Sequence, residues 1–167
     1  MMRWLRSLLG LPTSPRPEKV GLKGQLTLIH TRDGRVLRKT TLRNLIVSAG
    51  KAEVAGLINE QTSGGFTYLA IGTGTTSPAA GDTTLEAEIT TGGGARAAAT
   101  CSRITTTVTN DTAQMVHQWT FSATFAVTES GVFDAASSGV LLARQTFSAI
   151  NVVSGDKLEV TWKVQVS

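Results

Sequence analysis

Two-fold alternation of apolar and polar positions dominates the C-terminal half of the chain. Trp119, Phe121, Ala123, Phe125 and Val127 fall on one side, and Thr120, Ser122, Thr124 and Ala126 on the other. That is the pattern of a strand with one buried face. The chain end repeats it: Leu158, Val160, Trp162, Val164 and Val166 alternate with Lys157, Glu159, Thr161, Lys163 and Gln165. Strand patterns cover residues 95–109, 114–128, 141–152 and 158–166, with turns at Asn110-Asp111 and Ser154-Gly155-Asp156. Between them, the run from Glu129 to Asp134 is expected to leave the sheet, and Ala135 to Gly139 to return the chain.

Upstream, strands at 25–30 and 35–39 flank Asp33-Gly34, a type I′ hairpin signal. Residues 48–59 are the best helix candidate: Ser48 is placed to cap it, and Ala52, Ala55 and Ile58 recur along one side. Gly50 and Gly56 weaken that helix, so it should depend on packing against a sheet. Residues 67–71 read as a short strand, followed by a tight Gly/Thr/Ser/Pro loop at 72–78. Several one-sided strands at this spacing predict an all-β fold, an antiparallel β-sandwich or jelly-roll-like barrel with one short helix. Its core should contain Trp119, Phe121, Phe125, Phe147 and Trp162.

The first 23 residues break the pattern and read as an extended N-terminal arm, leaving 24–167 as a single β domain. Residues 1–11 suit a short amphipathic helix, with Trp4, Leu5, Leu8 and Leu9 near one side. Pro12, Pro15 and Pro17 then enforce an extended strap. A helix this short needs a surface to cover. Docking on a neighbouring subunit is preferred over docking on the chain's own domain, fraying or membrane contact. The apolar anchors, with Arg3, Arg6, Arg16 and Lys19 to meet acidic groups, form the candidate partner-docking set.

Charge sharpens the contrast between arm and body. Residues 1–51 hold 11 of the 16 Lys and Arg residues against Glu18 and Asp33, whereas residues 52–167 hold five basic and ten acidic residues. The basic residues are scattered among Leu, Trp and Pro and no aromatic-rich strand follows them, which favours a protein partner over nucleic acid. Only 17% of residues are charged, while 25 Thr, 13 Ser and 17 Gly build much of the surface, a composition suited to packing in an assembly. With 167 residues the chain supports one sizeable core. The single Cys101 excludes an intramolecular disulfide framework, no apolar run is long enough for a transmembrane helix, and the basic-apolar start lacks the features of a signal peptide.

Candidate chemistry is sparse. The loop Gly72-Thr73-Gly74-Thr75-Thr76-Ser77 offers N–H groups and hydroxyls but lacks the P-loop lysine and dinucleotide spacing. His30 and His117 sit in strand patterns, and Cys101 reads as a small buried or loop-facing residue. Asp82 is placed to cap a helical turn beside Glu86 and Glu88. Glu129 ends a strongly apolar stretch at a predicted turn, so its carboxylate should accept turn N–H groups or pair with Arg96, Arg103 or Arg144. No metal, cofactor or catalytic residues are assigned.

Six ordered runs carry a resemblance: 41–51, 68–75 with Gly72 and Gly74, 82–89 with Leu85 and Glu86, 128–133 with Glu129 and Phe133, 142–147 with Arg144, and 155–162 with Trp162. Together they resemble small structural proteins of tailed bacteriophages, head-decoration or tail-fibre-like virion components. The resemblance implies a non-enzymatic virion protein assembled in the host bacterial cytoplasm. Its partners would be major capsid or tail proteins and copies of itself, with a trimer favoured. Capsid decoration is the leading expectation, because a compact body with a docking arm can clamp adjacent capsomers. The alternatives are a tail, neck or fibre-associated protein, or a host-surface glycan-binding module.

Overall fold

The structure, a computed structural model, describes residues 19–167. Its elements are β1 (Leu22–Arg32), β2 (Arg35–Arg43), β3 (Leu45–Ile46), α1 (Ser48–Ile58), β4 (Tyr68–Gly72), β5 (Ala97–Ala98), β6 (Thr100–Ile104), β7 (Thr112–Thr120), β8 (Phe125–Phe133), β9 (Leu141–Val152) and β10 (Lys157–Val166). They form two five-stranded sheets, ordered β2-β1-β10-β7-β6 and β3-β9-β8-β4-β5. All strand pairs are antiparallel, and the two sheets enclose one large apolar cluster. Among the described residues, the expected β-sandwich with one short helix is the observed fold. Strand β1 begins at Leu22, two residues before the domain boundary read from the sequence.

The first sheet follows simple alternation. Leu26 and Leu28 of β1, and Leu158, Val160, Trp162 and Val164 of β10, point into the sandwich. The β1–β2 hairpin turns at Asp33 and Gly34, both with positive φ (50° and 75°), as a type I′ turn requires.

The second sheet is covered on both faces, and that changed several readings. Residues 129–133 do not leave the sheet: from Val127 to Phe133 every residue of β8 is buried. Val127 faces the sandwich; beyond the register shift at Val127/Glu129 it is Ser130 and Val132 that do so, while Phe133 packs outside with Val47, Ala70, Leu85 and Leu141. Leu85 comes from the long segment between β4 and β5, which lies over this outer face. A polar strand can be central when each polar group has its own partner.

Three further expectations were corrected. The alternation from 114 to 128 is two strands, because β7 ends at Thr120 in one sheet and β8 starts at Phe125 in the other. The alternation persists through the crossover because Phe121 still points into the core, its N–H donating to Asp156 O at 2.9 Å. Likewise the 95–109 pattern is divided into β5 and β6, one on each sheet. Phe125 and Phe147 pack against the core cluster as expected but are only half-buried. Phe147 falls where β9 slips register against β8, between the pairs Val127–Ile150 and Glu129–Thr146.

Ser48 does not cap the helix. Val47 holds the N-cap position with no side-chain cap, and its N–H donates to Leu142 O at 3.0 Å. The helix depends on packing, as its weak pattern implied. Gly50 is its one buried residue, and a Cβ there would strike the Leu142 backbone. Glycine at this point lets α1 lie directly on β9.

Trp162 joins the sheets through a polar relay inside the core. Its side chain is fully buried; Nε1 donates to Ser130 Oγ at 3.0 Å, and that hydroxyl donates to Ala70 O at 2.9 Å. Trp162→Ala should therefore cost about 3–5 kcal/mol from the cavity. Trp162→Phe should cost about 1–3 kcal/mol, since it leaves Ser130 short of a donor. Chemical denaturation of both variants checks this ranking, and an unchanged midpoint for Trp162→Ala would contradict the burial.

Candidate functional site

The densest polar constellation is built around Glu129 on the outer face of the second sheet. Its side chain is fully buried. Oε1 accepts the N–H groups of Gly74 at 3.0 Å and Ala87 at 2.7 Å, and Oε2 accepts that of Glu86 at 3.1 Å. Arg144 Nε donates to Oε2 at 2.8 Å. Of the three arginines considered as its partner, Arg144 is the one observed. The remaining guanidinium donors of Arg144 reach Asp82 Oδ2 at 2.9 Å and Glu86 Oε2 at 3.5 Å.

Local sequence explains how the loop meets this carboxylate. A Cβ at Gly72 or Gly74 would collide with the Glu129 side chain, so the glycines admit it. Thr128 Oγ1 donates to Gly74 O at 2.7 Å, holding the same turn from the other side. Thr76 donates its N–H and hydroxyl to Glu86 at 2.8 and 2.9 Å. Two N–H groups of the glycine loop, those of Gly74 and Thr76, are thus taken by carboxylates of this chain. Asp82 caps no helical turn; its carboxylate accepts the Ala79 N–H at 3.0 Å and the Arg144 guanidinium.

Two neighbouring sets fasten the rest of the body. Arg96 pairs with Glu88 at 2.6 Å, lies 3.5 Å over the Phe133 ring and donates to Ala135 O and Ser138 O, tying down the β8–β9 connection. At the opposite sheet, buried Asp156 accepts both Arg32 Nε and Nη2 at 2.7 Å, His30 Nε2 at 2.9 Å and the Val153 N–H at 3.0 Å. The sequence reading missed this second set, since its members are 124 and 126 residues apart and only Asp156 carried a turn signal.

The residues considered for nucleophilic chemistry are dispersed. His30 serves Asp156 on β1; Cys101 is exposed on edge strand β6, separated from β1 by β10 and β7. His117 Nδ1 bonds Ala98 O at 3.0 Å, its ring meets Trp119 edge-on, and desolvation lowers its pKa. Among the described residues, no three His, Cys, Asp or Glu side chains converge into a metal-holding group. Of the predicted docking set, Arg3, Trp4, Leu5, Arg6, Leu8, Leu9 and Arg16 lie outside the described residues, and Lys19 is exposed.

Two antiparallel sheets with a buried polar centre that fixes the body's own loops define an all-β sandwich protein. Residues 48–164, well over half of the chain, match the family described as podophage GP4 fiber I protein gp80, and the chain belongs to this family of tailed-phage virion proteins. No curated protein and no solved structure matches it. The match runs from α1 into β10 and includes the whole Glu129 constellation; β1 and β2 precede it.

Replacing Glu129 with Ala leaves three N–H groups and the buried Nε of Arg144 without their acceptor, with Asp82 and Glu86 still paired to that guanidinium. A loss of about 3–5 kcal/mol in denaturant unfolding is expected, and wild-type stability would contradict the assigned role. The acid response has a definite sign. The Arg32 guanidinium, helped by His30 and against desolvation, holds Asp156 well below its ordinary 3.8; the N–H of Val108 leads the donors that lower Asp111. Carboxylates depressed in the folded state contribute stability above the unfolded value of 3.8, and lose it as pH falls through the lower folded values. The unfolding midpoint should be flat from neutral to about pH 5 and drop below about pH 4. Asp156→Asn should shallow that drop; an unchanged slope would remove Asp156 from the account.

Proposed function

We propose that the chain is a non-catalytic structural subunit of the phage fibre or tail apparatus. The observation that carries this reading is the fibre-family match over residues 48–164. Its surface chemistry supports a defined assembly over open-ended strand addition. Of the four sheet edges, β2 carries Arg35, Arg38, Lys39 and Arg43, β6 is five residues long and carries Arg103, and β3 and β5 are two residues long each. Charged and very short edges resist strand-to-strand growth. Contacts to other subunits are then made by the hydroxyl-rich faces and the N-terminal arm, in a homo-oligomer for which a trimer is favoured.

Capsid decoration is the second reading, favoured by the pairing of a compact body with a basic, apolar arm. Cryo-electron microscopy of intact particles separates the two: density for this chain on the fibre or tail supports the proposal, and density on the capsid faces overturns it in favour of decoration.

The arm yields its own expectation. Deletion of residues 1–20 should leave the β body folded, because β1 starts at Leu22, yet sharply reduce occupancy on particles. Co-sedimentation of truncated and full-length protein with particles lacking this component measures the difference. Equal occupancy would assign the virion contact to the body alone.

A further inference from the structure

A cleft of about 570 Å³ opens where the start of β1, the β2–β3 crossover, the helix and the end of β10 meet. Four cations line it, each from a different element: Lys23 of β1, Arg43 of β2, Lys51 of α1 and Lys163 of β10. No carboxylate lines it, and among the described residues none of the four is in an ion pair. Elsewhere in the body Asp156, Glu88, Asp82, Glu86 and Glu129 pair with Arg32, Arg96 and Arg144. The convergence follows from register: Gln25 of β1 faces Arg43 on one side and Lys163 on the other, with Lys23 two residues along. Like charges gathered this way repel until an anion joins them.

Asn44 supplies an independent sign. It lines the same cleft, and both its side-chain oxygen and nitrogen are buried without a hydrogen-bond partner among the described residues. Such groups are rare in folded proteins, and a polar ligand group or an ordered water in the cleft would satisfy them. Leu22 and Leu45 add an apolar wall, and the volume lies within the usual range for small-molecule sites. Cations for an acid group, amides for hydroxyls and an apolar wall for a carbon ring belong to one ligand chemistry.

The geometry points to a binding site for an acidic sugar, a hydroxylated ring carrying phosphate or carboxylate. The chain's own arm brings the wrong charge, since residues 1–18 carry Arg3, Arg6 and Arg16 against Glu18 alone. The inference rests on the cleft and holds whether the protein sits on fibre or capsid.

Amide chemical shifts of the full-length, ¹⁵N-labelled protein test it, with glucose 6-phosphate, glucuronate, inorganic phosphate and glucose as probes. Saturable shifts at Lys23, Arg43, Asn44 and Lys51 are expected with glucose 6-phosphate or glucuronate, weaker ones with phosphate, and none with glucose. The double variant Arg43→Gln/Lys163→Gln should bind about tenfold or more weakly, a loss of about 1.4 kcal/mol or more. Lys51→Ala, on the exposed side of α1, gives the same test should the double variant melt early. Absence of saturable shifts with both acidic sugars, glucose binding as well as they do, or undiminished affinity in Lys51→Ala and the double variant would overturn the site. Inorganic phosphate binding as tightly as glucose 6-phosphate would overturn its assignment to a sugar.

Discussion

A carboxylate without solvent access needs either a proton or a set of donors, and Glu129 is supplied with the donors. Burying such a group unpaired is far costlier than burying an apolar one. Its partners come from both ends of the 72–89 segment, so that segment must be in place for the strand beneath it to be stable. Once in place, the segment brings Leu85 over Ala70, Phe133 and Leu141 and completes the second apolar cluster. The outer face of one sheet thus depends on a single side chain. Removal of the loop would leave Glu129 and Arg144 facing each other on an open sheet, with Phe133 beside them.

This dependence also explains where the sequence was legible. Alternation at 158–166 and the Asp33-Gly34 turn are local signals, and local signals were enough for the sandwich. Residues 129–133 were misread because a Glu-Ser-Gly run looks like a chain leaving a sheet. Only tertiary structure shows that Ser130 serves Trp162 and Glu129 serves a loop more than 40 residues upstream. The need of Glu129 for N–H groups or an arginine could be read from its position after an apolar strand; the identity of Arg144 could not, because pairing across β8 and β9 selects it. Phe125 and Phe147 show the opposite failure, where correct alternation met a crossover and a register slip.

For a virion component, a long loop fixed by buried charge has a physical consequence. Its surface is presented in one conformation, so contacts made there lose little entropy on assembly. The β1–β2 hairpin, ahead of the family-matched region, completes the first sheet through β10 and is fastened by Asp156 to His30 and Arg32. The same hairpin supplies Lys23 and Arg43 to the basic cleft. Body and cleft are therefore joined through one sheet edge.

Native-state hydrogen exchange at the amides of Gly74, Glu86 and Ala87 tests the central role of Glu129 most directly. If the buried carboxylate locks the loop to the sheet, these three amides exchange only through global unfolding, with the same protection as the β1 and β10 ladder. Exchange through local opening, much faster than that of the ladder, would show that the loop rests on the sheet without being held by it, and would contradict the account.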